Sequence, residues 1–404
     1  MHHSRLLISL ALAATWTGQA QAAGPSVSIA ASVDGGAASD GPVMARAGQT
    51  VVLYAVVATG RGGHERYATT APSLTLRGRR IPRARLVPPD GKLKFAWWLV
   101  EPYPHHKNLP PPNPGNPAYS NAELFGPHHG RWLGYDTLEY HETPLLAETG
   151  PQLIVKRVSP TDPHVNVHAG LGTMRYKVVA SDGAFSLASP GMEAKEGHGI
   201  ARRVMRVSFR RGDDIPGRLT ALFNLPNVFG SGGSGAQHQT DLFQGADCAD
   251  VIIGALRAAG LHLAYTSVKG LLAHARPVTP ILVMDATSVR EQQNGQVGAE
   301  AHLRFGVDVQ PGDLMLIDYL GIAASPRTWD HVAVVSADAG TLGEFDPKDL
   351  VMHVAYLYGL TEEPAATQAP ALVQFLRWKR EVTSNLARAA KSEARGRRLA
   401  APTP

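Results

Sequence analysis

From Ser26 to Phe209 the chain runs in short apolar stretches, rich in β-branched residues and cut apart by Gly, Pro and Asp. Ser26–Val33 (SVSIAASV) alternates, and Thr50–Thr59 (TVVLYAVVAT), preceded by Ala47-Gly48-Gln49, is longer. Ser73–Leu76, Lys92–Val100 (KLKFAWWLV), Thr173–Ser181 (TMRYKVVAS) and Val204–Phe209 follow. Such side chains suit a pleated, half-buried surface, and Asp182-Gly183 is a turn signal. Many short strands separated by turns predict an all-β sandwich. Gly 41 and Pro 30 in 404 residues agree with a loop-rich, β-rich chain. A composition 44% hydrophobic and 18% charged is globular, and the length has room for two or three domains.

Residues 1–22 (MHHSRLLISLALAATWTGQAQA) have the layout of a signal peptide: Arg5, an apolar run from Leu6 to Trp16, then Ala20-Gln21-Ala22 as a small-x-small cleavage site. The expected mature protein is therefore periplasmic or secreted after cleavage near Ala22. No later stretch has the ~20 apolar residues of a transmembrane helix. One cysteine excludes an intramolecular disulfide and any four-cysteine zinc module. A net charge of +5 favours, weakly, contact with anionic envelope polymers or nucleic acid, and no nucleic-acid partner is expected.

The β region is expected over 23–212, and its AGQTVVLYAVV and GTMRYKVVASDG stretches resemble strands of immunoglobulin-like domains. A Pro- and His-rich insertion, 102–146, interrupts it. This segment carries His105, His106, His128, His129 and His141 beside Glu139 and Glu142, but in no recognised ligand spacing, so no metal is expected. Trp97, Trp98, Trp132 and Tyr135 form either sandwich core or a sugar-stacking face. After Gly212–Pro216 the character changes, and 213–380 reads as a separately folding α+β unit. Asp247–Ala259 (DCADVIIGALRAA) has helical periodicity ending at Gly260, Leu314–Ile317 and Val332–Val335 are strand-like, and Ala371–Trp378 is the last strand. The basic tail, 381–404, reads as a surface helix.

Cys248 opens the best helix in the chain. A helix N-terminus stabilises a thiolate, which predicts an accessible thiol of lowered pKa. Ser231-Gly-Gly-Ser-Gly235 before it lacks the Lys-Ser/Thr of a phosphate loop and reads as a cleft lip or a linker. Downstream, Pro311-Gly312-Asp313-Leu314 is followed by Asp330-His331-Val332-Ala333-Val334-Val335. A His at the start of a strand can serve as base for the thiol, and a third polar group should orient it. His353 and Asp346 are the candidates. His353 is favoured, because it comes late on the returning strand while Asp346 precedes Pro347.

The order Asp-Cys at a helix start, Pro-Gly-Asp-Leu, then His-Val-Ala-Val-Val resembles the NlpC-type cell-wall peptidases. These are papain-like cysteine hydrolases with a helix on an antiparallel sheet. Pro226-Asn227-Val228-Phe229-Gly230 is similar to a stretch those enzymes carry before the Cys, and the resemblance spans about 221–360. It implies an outlying member that cleaves an amide of peptidoglycan peptides without a cofactor. Cys248 would be the nucleophile, His331 the base, His353 or Asp346 the orienting group, and Asn227 or Gln244 the oxyanion donor. Ala249-Asp250 stands where the family has Ser-Gly. A decayed, binding-only scaffold and an acyltransferase with the same triad are the alternatives.

Overall fold

The computed structural model describes residues 24–60, 64–103, 132–133, 137–162, 167–232, 239–319, 329–355 and 358–400. The proposed signal peptide lies outside them, as do four of the five insertion histidines and Tyr135. Strand is the dominant structure, spread over several sheets.

Two sheets face each other in the N-terminal half. Ser26–Val33 pairs antiparallel with Val51–Thr59 at the centre of one. Lys94–Pro102, Gly172–Ser181 and Met205–Arg210 form the centre of the other. Alternation sends Ile29, Leu53, Ala55, Trp97, Tyr176, Val178 and Val207 into the shared core. The Trp97 indole N–H donates to the Gly150 carbonyl at 2.9 Å, which makes this ring sandwich core. Trp98 is half-buried. The backbone of residues 132–133 pairs with Val228 and Phe229, in the segment that leads to Cys248.

The C-terminal half is built on a second, wholly antiparallel array. Its central order is Leu282–Met284, Ala371–Trp378, Leu314–Tyr319, His331–Ala337, Leu350–Ala355 and Gly359–Pro364. We call the fourth and fifth of these the histidine strand and the return strand. The helix Cys248–Ala258 (the cysteine helix) covers one face through Val251, Ile252, Ala255 and Leu256, against Val332, Val334, Met352 and Val354. The opposite face buries Met315, Ile317, Ala333, Val335, Val351 and Phe375. The basic tail is a helix, Arg380–Ala400, that adds Val382 and Leu386 to the cysteine-helix core.

Polar contacts join 23–212 to 213–404, the two stretches expected to fold separately. Arg175 and Arg206 stand directly opposite each other on adjacent strands of the sandwich. A pair of like charges in that position repels, and both are relieved by the C-terminal half. Arg175 Nη2 donates to the carbonyls of Leu242 and Phe243 at 3.1 and 2.5 Å. The Arg206 guanidinium lies 3.6 Å from the centre of the Phe243 ring. Thr173 Oγ1 donates to the Ala221 carbonyl at 2.7 Å, and Arg211 grips Glu362 through two bonds of 2.9 Å. Sheet membership changes near 212, but the two halves share polar contacts that neither supplies alone.

Candidate active site

Four segments converge at one end of the C-terminal sheet. The cysteine helix starts there because Asp247 caps it, its carboxylate accepting from the N–H groups of Ala249 and Asp250 at 3.0 and 2.9 Å. Asn227 pairs with Ala246 in a short parallel bridge, which lays the 226–228 segment beside the approach to Cys248. The turn entering Gly359–Pro364 packs on the same segment, and a Cβ at Gly359 would run into the Leu225 carbonyl oxygen. Gly359 also has φ +72°, in the left-handed region. Gly359→Ala is therefore expected to cost about 1–3 kcal/mol, read as a fall in melting temperature. An unchanged melt would mean that this turn does not hold the 225–227 segment.

The histidine strand begins at the same end. The backbone N–H of Val332, the residue after His331, is directed at the Cys248 sulfur. Strand alternation points Val332 toward the cysteine helix and His331 toward the other face. There His331 Nε2 lies 3.1 Å from His353 Nδ1, with the rings edge to face. His353 Nε2 is 2.7 Å from Glu363 Oε1, and the Gln368 amide nitrogen is 3.0 Å from the same ring nitrogen. The Tyr319 hydroxyl donates to Gln368 Oε1 at 2.6 Å, and its ring stacks 6.1 Å from that of His331. Burial pushes the Tyr319 hydroxyl pKa up, and the nearby Cys248 adds to this, so the sulfur lies within electrostatic reach of the cluster.

Its bond to His353 holds the Glu363 carboxyl below the ordinary range, so it is an acceptor at neutral pH. One proton order that fits has His353 donating from Nε2 to Glu363 and accepting at Nδ1 from His331 Nε2, with the His331 lone pair on Nδ1 and the Gln368 amide donating to Glu363 at 3.4 Å.

Asp346 does not join this cluster. Its carboxylate accepts from the N–H groups of Thr341 and Lys348 at 2.8 and 2.7 Å, closing the turn before the return strand. Burial works against its ionisation, but those N–H groups hold the carboxyl below its usual range. Gln244 also departs from the role expected of it. Its amide nitrogen donates to the carbonyls of Glu196 and Ile200 at 3.2 and 2.8 Å, and its side chain packs on Gly199. It ties the cysteine approach to the sandwich and is committed away from the thiol. Of the two oxyanion candidates, Asn227 is the one beside the cysteine approach.

The lowered thiol pKa is reversed. Burial pushes the Cys248 thiol up, and the Asp247 carboxylate pushes it further. The N–H groups of Val332 and Ala249 pull the other way, and Asp250 adds to the rise. The helix terminus favours the thiolate, but the carboxylate that caps it opposes this, and burial outweighs both. The Asp250 carboxylate accepts from Ser231 Oγ at 2.9 Å and from the Gly232 N–H, pinning the start of the glycine-rich loop.

Burial, reinforced by Asp247, raises the Asp250 carboxyl to about 7. A carboxyl raised in the folded state stabilises most at low pH and loses that contribution as the pH climbs through about 7. Asp250→Asn is expected to melt like the parent near pH 4 and at a higher temperature at pH 8. Equal shifts at both pH values would show that this carboxyl is not held protonated.

In the insertion, His141 Nε2 lies 3.8 Å from Glu101, whose carboxylate already accepts from Thr161, and Glu142 pairs with Lys177. No group of three or more His, Cys, Asp or Glu side chains suited to a metal occurs among the described residues. No helix among them is long and apolar enough to cross a membrane. Compared with family models, curated proteins and solved structures, the chain shows no match.

Proposed function

We propose that the chain is an exported papain-like cysteine hydrolase that cleaves an amide bond in peptidoglycan peptides. The observation that carries this is the continuous His331–His353–Glu363 hydrogen-bond chain, which starts one residue from the backbone N–H aimed at Cys248. A carboxylate that orients one imidazole through another serves a group that must gain and lose a proton.

The thiol is neutral at rest. In this scheme the His331 ring, at the open first position of its strand, reaches round the end of the sheet, and Nδ1 takes the thiol proton while sulfur forms a bond to the amide carbonyl carbon. The imidazolium is stabilised through His353 by the Glu363 carboxylate. Collapse of the tetrahedral intermediate breaks the C–N bond, and His331 returns its proton to the leaving amine. Water, deprotonated by His331, then hydrolyses the thioester. The Cys248 N–H and the Asn227 side chain are the proposed oxyanion donors. No cofactor is needed by this scheme.

The test is to incubate the mature protein with intact peptidoglycan and identify the released fragments by mass, with Cys248→Ala in parallel. New peptide termini that vanish in the variant support the reading; identical fragments from both, or none from either, count against it. The raised thiol pKa favours a second reading, a decayed site in a cell-wall-binding scaffold. Sedimentation with peptidoglycan that releases no fragments would select it.

A further inference from the structure

We infer that a strap across the outer face of the N-terminal sandwich, residues 77–85, is a docking surface for a flexible phosphate-backbone polymer without bases. The strap reads Arg77-Gly78-Arg79-Arg80-Ile81-Pro82-Arg83-Ala84-Arg85, five arginines in nine residues. It starts in the hairpin between Leu74–Leu76 and Arg79–Arg80 at one edge of the sheet. It ends at Leu86–Val87, paired with Arg66–Ala68 at the other edge. The strap is built, not loose. Arg77 and Gly78 both have positive φ, and the Arg77 N–H donates to the Asp40 carboxylate at 3.0 Å. The Ile81 N–H donates to the Leu74 carbonyl at 2.8 Å, and Arg85 N–H to Pro82 at 2.9 Å. Ile81 and Leu86 turn inward onto Tyr54, Val56 and Leu74, so the arginines are left outward.

Ion pairing distinguishes these arginines from several elsewhere. Arg46, Arg210, Arg211, Arg257, Arg304 and Arg377 each hold a carboxylate. On the strap only Arg85 does, 3.6 Å from Glu65. Arg77, Arg79, Arg80 and Arg83 are exposed, and among the described residues none has an ion-pair partner. Four exposed guanidinium groups on one seven-residue stretch repel one another, and nothing in the core requires them. Asp40 and Glu65 are the two carboxylates that reach the strap. Guanidinium is the group suited to two-point recognition of phosphate oxygens. Of the large exposed apolar side chains among the described residues, Ile154 lies on this face, and one such side chain is too little for insertion into a membrane. Tyr67 packs inward, leaving no ring here for nucleic-acid bases. The inference is independent of any chemistry at Cys248.

The full mature chain is titrated with long-chain inorganic polyphosphate across a salt series. Polygalacturonate, double-stranded DNA and vesicles of phosphatidylglycerol in phosphatidylcholine are the comparison arms. Tightest binding to polyphosphate is expected, weakening steeply with salt. The combined R77Q/R79Q/R80Q/R83Q variant should lose about tenfold or more in affinity, and the slope against log salt should fall by about three. The matching four-lysine variant should keep most of the salt slope. Both variants should melt with the parent, since these side chains bury nothing. Unaltered polyphosphate binding in the glutamine variant overturns the surface. Tighter binding to polygalacturonate, DNA or the vesicles overturns the partner.

Discussion

His331→Ala is expected to lower fragment release from peptidoglycan by about 10²–10⁴-fold, the usual span of general acid–base assistance. Glu363→Gln is expected to cost less, about tenfold or ~1.4 kcal/mol of transition-state stabilisation. A neutral amide still accepts from His353 but no longer balances the imidazolium. The single cysteine gives a second readout that needs no substrate. Iodoacetamide should label the folded protein slowly at neutral pH. The rate should climb through a midpoint above the ~8.5 of a free thiol, because burial and Asp247 favour the neutral form. If His331 is the base, His331→Ala should move that midpoint further up, because the thiolate loses the imidazolium that the proposed mechanism forms beside it. If His331→Ala changes neither fragment release nor the labelling profile, the base assignment fails. If it changes both while Glu363→Gln changes neither, only the role of Glu363 fails.

The gap between the expected and observed thiol shows which physical quantities can be read from a sequence. The helix after Asp247 was legible from the spacing of Val251, Ile252, Ala255 and Leu256, and its start falls within a residue of expectation. The run Ala371–Trp378 is a strand with the expected ends, because β-branched and aromatic alternation is a local signal. The placing of His353 on the return strand was also legible. An antiparallel return fixes which end meets His331 once the turn is located. Glu363 and Gln368 were not legible. Glu362-Glu363-Pro364 has little strand propensity, and its strand exists because the return strand offers it an edge. The polar strands Val289–Gln293 and Gln296–Glu300 were missed for the same reason. The thiol pKa was misjudged because burial depends on what packs over the helix terminus, and no local pattern reports that.

The N-terminal portion 23–212, expressed alone, is expected not to form a stable fold. Arg175 and Arg206 are cross-strand neighbours whose charges the sandwich itself does not neutralise. Burial lowers the Arg175 pKa, and lowers that of Arg206 to about 9 with its neighbour's charge adding to the effect. Both signs record the strain of holding cations out of water. The relief comes from the Leu242 and Phe243 carbonyls and the Phe243 ring, which are absent from that fragment. The fragment would also lose Gln244 from the carbonyls of Glu196 and Ile200, and Ala221 from Thr173. In the intact chain, Arg175→Met is expected to cost about 3 kcal/mol. It leaves two carbonyls without a donor and Arg206 beside a gap, the range seen when one partner of a buried charged network is removed. Arg175→Lys should recover little, because one ammonium cannot match the reach and planarity of the guanidinium. The measurement is chemical denaturation of parent and variants, with the fragment followed by circular dichroism and solubility. A fragment that unfolds cooperatively with a midpoint near that of the full chain would establish separable domains. The Arg175–Phe243 contact would then be a docking interaction between finished folds, not part of one core.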